Sequence, residues 1–248
     1  KIGVLGAGTM GGGIAQVAAQ AGFQVVLCDI ELSLVEKAVE RMETFLNRSI
    51  ERGKLTAELK DKALSCITKS ADLADFADAD LVIEAISEDL ELKKEAFAKL
   101  DQVCKAEALL VTNTSSMSVT AIASATKRPK QVAGMHFFNP PALMKLVEVI
   151  RGYDTTDETV NTIFEVAKKM GKTTVEVKKD FPGFIVTRVN MAQVIEAVRL
   201  VEEGVASPED IDTAMKLGLN WPMGPFELQD FMGVDVTYFI LEYLQDEF

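Results

Sequence analysis

Apolar residues along the first 180 positions form short continuous runs, and stretches with helical spacing separate those runs. The runs lie at residues 2–5, 24–28, 81–85, 108–112 and 131–135. Continuous apolar strands that alternate with helices are typical of a parallel sheet buried on both faces. Two further runs, 145–150 and 173–177, flank a predicted helix over residues 157–170. The pattern predicts an α/β fold with a mostly parallel sheet of the Rossmann type.

Residues 32–65 interrupt this alternation of strands and helices. Their first half contains an apolar stripe at helical spacing with charged residues between its members. Arg52-Gly53-Lys54 predicts a turn, and residues 56–64 predict a second helix. We therefore expect a long helical hairpin, inserted between strands and projecting from the sheet.

The chain after residue 180 lacks strand-like runs. An apolar stripe from Met191 to Val201 ends at Gly204, and Ser207-Pro208 is typical of a helix start, with Ser as N-cap and Pro at the first position. Gly224-Pro225 predicts the start of another helix. The sequence thus predicts two domains, an α/β domain over residues 1–180 and an all-α domain over residues 181–248.

Composition excludes several classes of protein. The 248 residues have a formal net charge of −12, so a nucleic-acid partner is not expected. No apolar run is long enough to span a membrane. Three scattered cysteines favour free thiols in a reducing cytoplasm and offer no metal-ligand spacing. Because Lys1 already lies in an apolar strand and the last residues give no stop signal, we expect a chain trimmed at both ends.

A glycine-rich motif joins the first predicted strand to the first predicted helix. It consists of Gly6, Ala7, Gly8, Thr9, Met10 and Gly11. Gly6 allows a tight turn, Gly8 lets the backbone approach a diphosphate, and Gly11 lets the helix pack closely on the strand. The N-terminus of the helix faces the anion. The motif therefore predicts a dinucleotide site.

An acidic residue ends the second predicted strand at the spacing that such sites require. Asp29 lies 18 positions after Gly11 and can accept hydrogen bonds from a ribose diol. Its charge would repel a 2′-phosphate, and residues 30–32 offer no arginine to bind one. The sequence therefore favours NAD over NADP.

The chain contains one histidine, His136, in the run HFFNP, and Glu148 follows twelve positions later. Imidazole is the side chain whose unperturbed pKa lies nearest neutral pH, so a lone histidine is a candidate for proton transfer. A carboxylate on one ring nitrogen would fix the tautomer and favour the protonated form. The alternative is a half-buried structural histidine beside a solvated glutamate.

Ser115 directly follows the strand over residues 108–112, in the run NTSS. Ligands of open parallel sheets lie at the carboxyl ends of strands, so Ser115, His136 and the glycine-rich loop can meet in one crevice. That arrangement suits a dehydrogenase, which needs a base, a hydroxyl group and a nicotinamide around one carbon. The alternative for Ser115 is a simple helix N-cap.

Arg48 and Arg52 are four residues apart on one predicted helix face, and Lys54 follows in the turn. Three basic residues on a surface hairpin are most simply interpreted as a solvated charged face.

Taken together, these motifs resemble those of the L-3-hydroxyacyl-CoA dehydrogenases, in particular the bacterial 3-hydroxybutyryl-CoA dehydrogenases. The similar segments are GAGTMG at 6–11, NTSS at 113–116, HFFNPPALMKLVEVI at 136–150, PGF at 182–184, EDIDTAMKLG at 209–218 and WPMGPFEL at 221–228. The resemblance covers essentially the whole chain, and HFFNP with a glutamate twelve residues on is its most specific element.

The resemblance implies an NAD-dependent oxidation of a short-chain (S)-3-hydroxyacyl-CoA to a 3-oxoacyl-CoA, and the reverse. It implies a catalytic pair of His136 and Glu148, with Ser115 near the reacting oxygen. The cofactor contacts that it implies are Asp29, Glu88, Lys93, Ser115 and Asn139, and we assign Asn113 to the same site. It makes Arg48, Arg52 and Lys54, together with Ser115, contacts for coenzyme A, and it implies a homodimer formed by the helical domain.

Thr187 departs from the family pattern, which usually has an asparagine there to hold the substrate near the base. Threonine is shorter but keeps a hydroxyl donor and acceptor, so we retain Thr187 among the catalytic candidates.

Two other functions remain open. One is a sugar-acid dehydrogenase of the same superfamily, such as an L-gulonate dehydrogenase, for which the basic hairpin would have no distal phosphate to bind. The other is a cofactor-binding protein without catalysis, like the lens crystallins built on this fold, and the set of Ser115, His136 and Glu148 argues against it.

Overall fold

The computed structural model describes residues 1–247. The chain forms two compact units, residues 1–180 and the segment from Phe181 onward. Each unit has its own set of secondary-structure elements, and the two are described separately below.

The first unit is built on one eight-stranded sheet. Its strands are β1 (Ile2–Leu5), β2 (Val25–Cys28), β3 (Ile67–Ser70), β4 (Leu81–Glu84), β5 (Leu109–Thr112), β6 (Val132–Phe137), β7 (Leu146–Arg151) and β8 (Thr173–Val177). They lie in the order β3-β2-β1-β4-β5-β6-β7-β8. Every neighbouring pair is parallel except β6 and β7, which are antiparallel. The predicted mostly parallel Rossmann-type sheet is confirmed.

Helices cover the sheet. They are α1 (Thr9–Gln20), α2 (Leu32–Glu51), α3 (Ala57–Ser65), α4 (Leu90–Val103), α5 (Val119–Ala123) and α6 (Asp157–Lys169), with short 3-10 turns at Leu73–Phe76 and Pro129–Gln131. Strands β1, β2 and β4 are buried at every position, as expected of strands covered on both faces. The carboxyl ends of the parallel strands therefore form one buried edge where side chains can meet.

The structure differs from the sequence prediction at two places in the sheet, and it gives the direction of β7, which the sequence left open. Strand β3 was not predicted, because ITKS is polar and half exposed at the sheet edge. Strand β7 runs antiparallel to β6, since the eight residues between them are too few for a parallel crossover. His136 lies inside β6 and not after it, because the strand continues through the apolar Phe137.

The hairpin of α2 and α3 packs partly on the body of the unit. Val35, Ala38 and Met42 of α2 join the main core, which also includes Ala63 of α3. This burial explains the apolar stripe on α2. The connecting turn at residues 52–54 is exposed, so only the tip of the hairpin stands out in solvent.

The second unit is entirely helical in its described part: α7 (Val186–Glu202), α8 (Pro208–Leu219), α9 (Pro225–Met232) and α10 (Val234–Glu247). The predicted cap of α8 is confirmed, since the Ser207 hydroxyl accepts from the Asp210 amide at 3.1 Å. The buried Asp212 carboxylate accepts from the Phe226 and Glu227 amides at the start of α9, at 2.8 and 3.0 Å. Among the described residues, no helix is both long and apolar enough to cross a membrane.

Candidate active site

The glycine-rich loop connects β1 to α1 in a conformation that only glycine permits. Gly6 has a φ of +101°, and a Cβ there would lie 2.5 Å from the carbonyl oxygen of Ala85. A Cβ on Gly11 would lie 1.8 Å from the carbonyl oxygen of Gly6. The N-cap of α1 is Gly8, which supplies no side chain, and a Cβ on it would meet nothing within 4 Å. The loop therefore leaves open space at a helix N-terminus, which fits a diphosphate.

Asp29 lies at the end of β2 and holds this loop. Its Oδ2 accepts from the Ala7 amide at 2.6 Å, and its Oδ1 accepts from the Ile30 amide at 2.7 Å. The adjacent Cys28 is no candidate nucleophile, because burial raises the pKa of its thiol to about 11. All three cysteines of the chain are free and buried. The carboxylate is thus fixed beside the loop, as a ribose contact requires.

A buried ion pair lies under the crevice at the ends of β4 and β5. The Lys93 ammonium is 2.7 Å from Glu84 Oε1, and the two side chains are 1% and 0% exposed. Glu84 also accepts from the Thr112 hydroxyl at 2.7 Å and from the Ile86 amide at 2.8 Å. Every oxygen of the Glu84 carboxylate is therefore hydrogen-bonded, which offsets the cost of burying its charge.

Glu88 links this pair to the surface of the crevice. Its carboxylate lies 3.3 Å from the Lys93 ammonium and accepts from the Thr114 hydroxyl and, at 2.8 Å, from the Ser115 amide. Helix α5 has Ser118 as its N-cap, with the Ser118 hydroxyl accepting from the Ala121 amide at 3.1 Å. The alternative interpretation of Ser115 as a simple N-cap is therefore wrong. The backbone of Ser115 is fixed by a carboxylate.

His136 and Glu148 face each other across the antiparallel strands β6 and β7. The register pairs them directly, and His136 Nδ1 lies 2.8 Å from Glu148 Oε2. Both side chains are buried, at 4% and 1% exposed. The Phe138 ring lies over the imidazole, with centroids 4.5 Å apart. Glu148 is consequently not a solvated glutamate, because strand pairing brings its carboxylate to one ring nitrogen in a site with little water.

Side chains outside β6 and β7 fix the ends of this pair of strands. The Asn113 side-chain oxygen accepts from the Phe137 amide at 2.8 Å and so joins the end of β5 to β6. The Lys172 ammonium donates to the carbonyl oxygens of Pro141 and, at 2.8 Å, Met144 in the β6–β7 loop. Burial lowers the pKa of Lys172. Asn139 is exposed in the same loop.

The remaining predicted residues belong to the hairpin of the first unit and to the second unit. Arg48, Arg52 and Lys54 are exposed at the tip of the hairpin, and none of them forms an ion pair with a residue that the structure describes. Thr187 is half-buried in the first turn of α7, in the second unit. Contacts of Lys93, Asn113, Asn139 and Thr187 with cofactor or substrate remain predictions.

The sequence analysis missed Glu84 and Thr112. A signal was present, because a carboxylate in the run LVIEA is unusual in a strand buried on both faces, and buried charges need partners. Its lysine partner, nine residues later, was predicted only as a cofactor contact.

Comparison with known proteins gives the family. Residues 1–181 match the model of the NAD-binding domain of 3-hydroxyacyl-CoA dehydrogenase, and residues 183–248 match the model of its C-terminal domain. The chain is 50% identical over 244 residues to a protein of Deinococcus radiodurans named "Probable 3-hydroxybutyryl-CoA dehydrogenase", covering 98% of this chain and 87% of that one. It is 45% identical over 248 residues to the 3-hydroxybutyryl-CoA dehydrogenase of Clostridioides difficile, covering 100% and 88%.

A solved structure is similar over nearly the whole chain. It is the (S)-3-hydroxybutyryl-CoA dehydrogenase PaaH1 of Ralstonia eutropha, with a TM-score of 0.96 and 41% identity, covering 99% of this chain and 87% of that one. The resemblance inferred from the motifs, the order of the two domain types and NAD as the cofactor are therefore confirmed. The chain belongs to the 3-hydroxyacyl-CoA dehydrogenase family of NAD-dependent dehydrogenases.

Proposed function

We propose that this chain oxidises short-chain (S)-3-hydroxyacyl-CoA, with 3-hydroxybutyryl-CoA as the main substrate, to 3-oxoacyl-CoA, and that it catalyses the reverse reaction. His136 is the general base in oxidation and the general acid in reduction, and Glu148 orients it. The observation behind this proposal is the buried contact between His136 Nδ1 and Glu148 Oε2 at 2.8 Å.

The contact suits proton transfer at the other ring nitrogen. When Glu148 accepts from Nδ1–H, the neutral ring presents the lone pair of Nε2, which can take the proton of an alcohol. The carboxylate then stabilises the imidazolium that forms. In the reverse direction, Nε2–H protonates the oxygen of the new alcohol. Ser115, whose backbone is held by Glu88, is the proposed hydroxyl partner of that oxygen.

The residues at the strand ends fit NAD. The open space beside Gly8 suits its diphosphate, and the Asp29 carboxylate suits the diol of its adenosine ribose. Bound NAD would supply the hydride acceptor or donor for the substrate carbon, while the protein positions the substrate and manages the proton. The proposed role of Glu88 and Lys93 is to complete the cofactor site from the β4 side.

The function is tested by following NADH oxidation with acetoacetyl-CoA and with longer 3-oxoacyl-CoA substrates. We expect the highest kcat/KM for the four-carbon substrate, falling as the acyl chain lengthens. Oxidation of L-gulonate with NAD, combined with no turnover of any thioester, would reject the proposal in favour of a sugar-acid dehydrogenase. Binding of NADH without turnover of either class would indicate a non-catalytic protein.

Glu148→Gln is expected to reduce kcat, because the carboxamide neither fixes the imidazole tautomer nor stabilises imidazolium. We expect a loss of roughly 10–100-fold, less than for loss of the base itself. The acid limb of the pH–rate profile for oxidation should move to lower pH, since imidazolium without a carboxylate loses its proton more readily. Stopped-flow rates from pH 5 to 9 check both effects. An unchanged profile would show that the two side chains do not act as a pair.

Asp29→Ala is expected to weaken the binding of NADH and to reduce the preference for NADH over NADPH. The parent chain should strongly prefer NADH, because Asp29 would accept from the ribose diol and repel a 2′-phosphate. Loss of a hydrogen bond to a charged group predicts a Kd for NADH about tenfold higher. Fluorescence titration with both nucleotides measures the ratio. Asp29→Asn is the control that can keep the Ala7 contact, and equal use of both nucleotides by the parent chain would contradict the assignment.

The hairpin tip is the proposed site for the phosphates of coenzyme A. In a chain with a net charge of −12, Arg48, Arg52 and Lys54 remain exposed and unpaired with any described residue. Cations left without an internal partner are available to an anionic ligand, and guanidinium groups match phosphate oxygens in geometry. A family whose substrates are CoA thioesters supplies such a ligand.

Replacing Arg48 and Arg52 together by Ala is expected to raise KM for acetoacetyl-CoA roughly tenfold, by removing charge-assisted contacts. The effect should shrink with a truncated pantetheine thioester, which lacks those phosphates. If the arginines bind the ground state and the transition state equally well, kcat need not change. Lys62→Ala, a change of exposed charge on α3, is the control. Equal losses with full-length and truncated thioesters would leave the hairpin tip as a solvated charged face.

The second unit is proposed to form a homodimer interface. Its helices leave large apolar side chains in solvent, among them Leu217, Phe231, Tyr238 and Phe239, which are 60–82% exposed. Exposed apolar surface of this extent marks interaction sites. Sedimentation equilibrium tests the proposal, and a monomer at micromolar concentration would reject it.

The cytoplasmic location also stays a prediction.

A further inference from the structure

Arg41 contacts the glycine-rich loop and has no role in the proposed mechanism. It lies on α2, and its Nη2 donates to the carbonyl oxygen of Ala7 at 2.9 Å. The amide of the same Ala7 donates to Asp29. The second residue of the loop is therefore held from one side by a carboxylate and from the other by a guanidinium.

The Arg41 side chain has donors that the protein does not use. A guanidinium has five N–H donors, and the Ala7 carbonyl takes one of them. Arg41 is exposed and forms no ion pair with any residue in the described part of the chain. An unpaired arginine is notable in a chain with a net charge of −12. Its charge and its remaining donors are available to an anion.

The surroundings of Arg41 connect it to the space beside the loop. Arg41 lines a small groove of about 160 Å³ together with Gly8, Thr9, Pro140 and Pro141. A Cβ on Gly8 would meet nothing within 4 Å. The guanidinium therefore lies at the border of the space in which a diphosphate at the α1 N-terminus would lie.

Other cations lie along the same face of α2. Lys37, Arg41 and Arg48 recur at helical spacing and border a shallow depression of about 540 Å³ with one carboxylate, Glu40. Of the three cations, Arg41 alone also lines the groove beside Gly8. Of these cations, only Arg41 is hydrogen-bonded to the loop in the described residues.

We propose that Arg41 binds the diphosphate of NAD from the α2 side while it stays hydrogen-bonded to the Ala7 carbonyl, and that it is a determinant of cofactor affinity. The contact would add a side-chain cation to the backbone amides of the glycine-rich loop, which otherwise bind the diphosphate without one. The inference depends on NAD as the cofactor and is independent of which thioester or acid the chain oxidises.

The test is direct binding of NADH, followed by fluorescence in the absence of any thioester. Arg41→Met should raise the Kd about tenfold, the usual scale for one charge-assisted hydrogen bond. Arg41→Lys should recover part of the affinity, because it keeps the charge and loses the planar fork. Lys37→Met is the matched control: it removes one positive charge from the same helix face, one turn earlier, and should change the Kd less than twofold.

Two further measurements separate a phosphate contact from a purely structural role. The Kd of the parent chain for NADH should rise with ionic strength more steeply than the Kd of Arg41→Met. Salt screens the attraction between the Arg41 guanidinium and the diphosphate, and the variant lacks that attraction. In competition with NADH, Arg41→Met should bind ADP more weakly and adenosine as before. Equal losses for ADP and adenosine would mean that Arg41 only shapes the loop through Ala7, and would overturn the proposal.

Three other outcomes would also overturn it. They are an unchanged Kd for NADH in Arg41→Met, equal weakening by Lys37→Met, and a rise confined to the KM of acetoacetyl-CoA, which would assign Arg41 to the thioester. If no thioester is turned over, the binding measurements still decide the role of Arg41. A wrong assignment of Arg41 can therefore be distinguished from a wrong assignment of the substrate.

Discussion

Replacing His136 with Gln is expected to lower kcat by roughly 10²–10⁴, the range for losing a general acid–base group. Glutamine can keep a hydrogen bond to Glu148, but it cannot take a proton from the substrate. The Kd for NADH should stay unchanged, because the imidazole is placed to act on the substrate. Steady-state rates with acetoacetyl-CoA and fluorescence titration with NADH check the two statements.

The double variant His136→Gln/Glu148→Gln is the sharper control. Residues that act as a unit are strongly non-additive, so adding Glu148→Gln to His136→Gln should cost little further activity. If the two losses multiplied, Glu148 would have a role independent of His136. Turnover close to that of the parent chain in His136→Gln would reject the histidine as the base altogether.

The contact between His136 and Glu148 was only partly predictable from sequence. The uniqueness of the histidine and the spacing of twelve residues suggested a pair. The spacing alone could not say that β6 and β7 are antiparallel neighbours, and only that pairing places residues 136 and 148 directly opposite. A β7 parallel to β6 would not have given this register.

The fold was predictable wherever burial dictated the residue pattern. Strands buried on both faces gave continuous apolar runs, and helices with one buried face gave stripes. Strand β3 gave neither signal, because an edge strand can be polar. Helix α10 was not predicted either, since it follows Gly233 directly and much of its first half is exposed. The local residue pattern therefore did not predict β3 and α10, whose structure depends on their neighbours in the fold and not on a buried face of their own.

Interactions between residues distant in sequence were the least predictable part of the site. The residues involved, Glu84 and Lys93, were visible in the sequence, but the contacts of Glu84 with Thr112 depend on the adjacency of β4 and β5. Arg41 was overlooked for the same reason, because it lies 34 residues from Ala7. Residues 30–32, which directly follow Asp29, contain no arginine, so position along the chain gave no sign of Arg41.

Lys93→Met is expected to destabilise the protein by about 3–5 kcal/mol, the scale for removing one partner of a buried ion pair. Glu84 would remain buried with its charge and lose its ammonium partner, at a position where its side chain is 0% exposed. Glu88 would also lose the ammonium 3.3 Å away and hold the Ser115 amide less firmly. The free energy of unfolding is measured by urea denaturation monitored with circular dichroism.

Lys94→Met supplies a matched control one residue along α4. Its ammonium pairs with Glu91 at 2.9 Å on the surface, with side-chain exposures of 32% and 75%. Exposed pairs contribute about 0–1 kcal/mol, so Lys94→Met should remain close to the parent stability. Equal destabilisation by both variants would mean that methionine itself, and not the loss of a buried charge partner, is responsible.

A second variant separates the effect of the unpaired charge on Glu84 from the effect of lost packing at residue 93. Glu84→Gln in the Lys93→Met background removes the uncompensated charge but leaves an amide oxygen for the Ile86 amide or the Thr112 hydroxyl. Because a neutral buried group costs far less than an unpaired carboxylate, stability should recover in part. If the double variant were no more stable than Lys93→Met alone, the loss of Lys93 would act through packing and not through the unpaired charge of Glu84. The expected recovery would show that the unpaired charge of Glu84, and not lost packing around residue 93, causes the destabilisation of Lys93→Met.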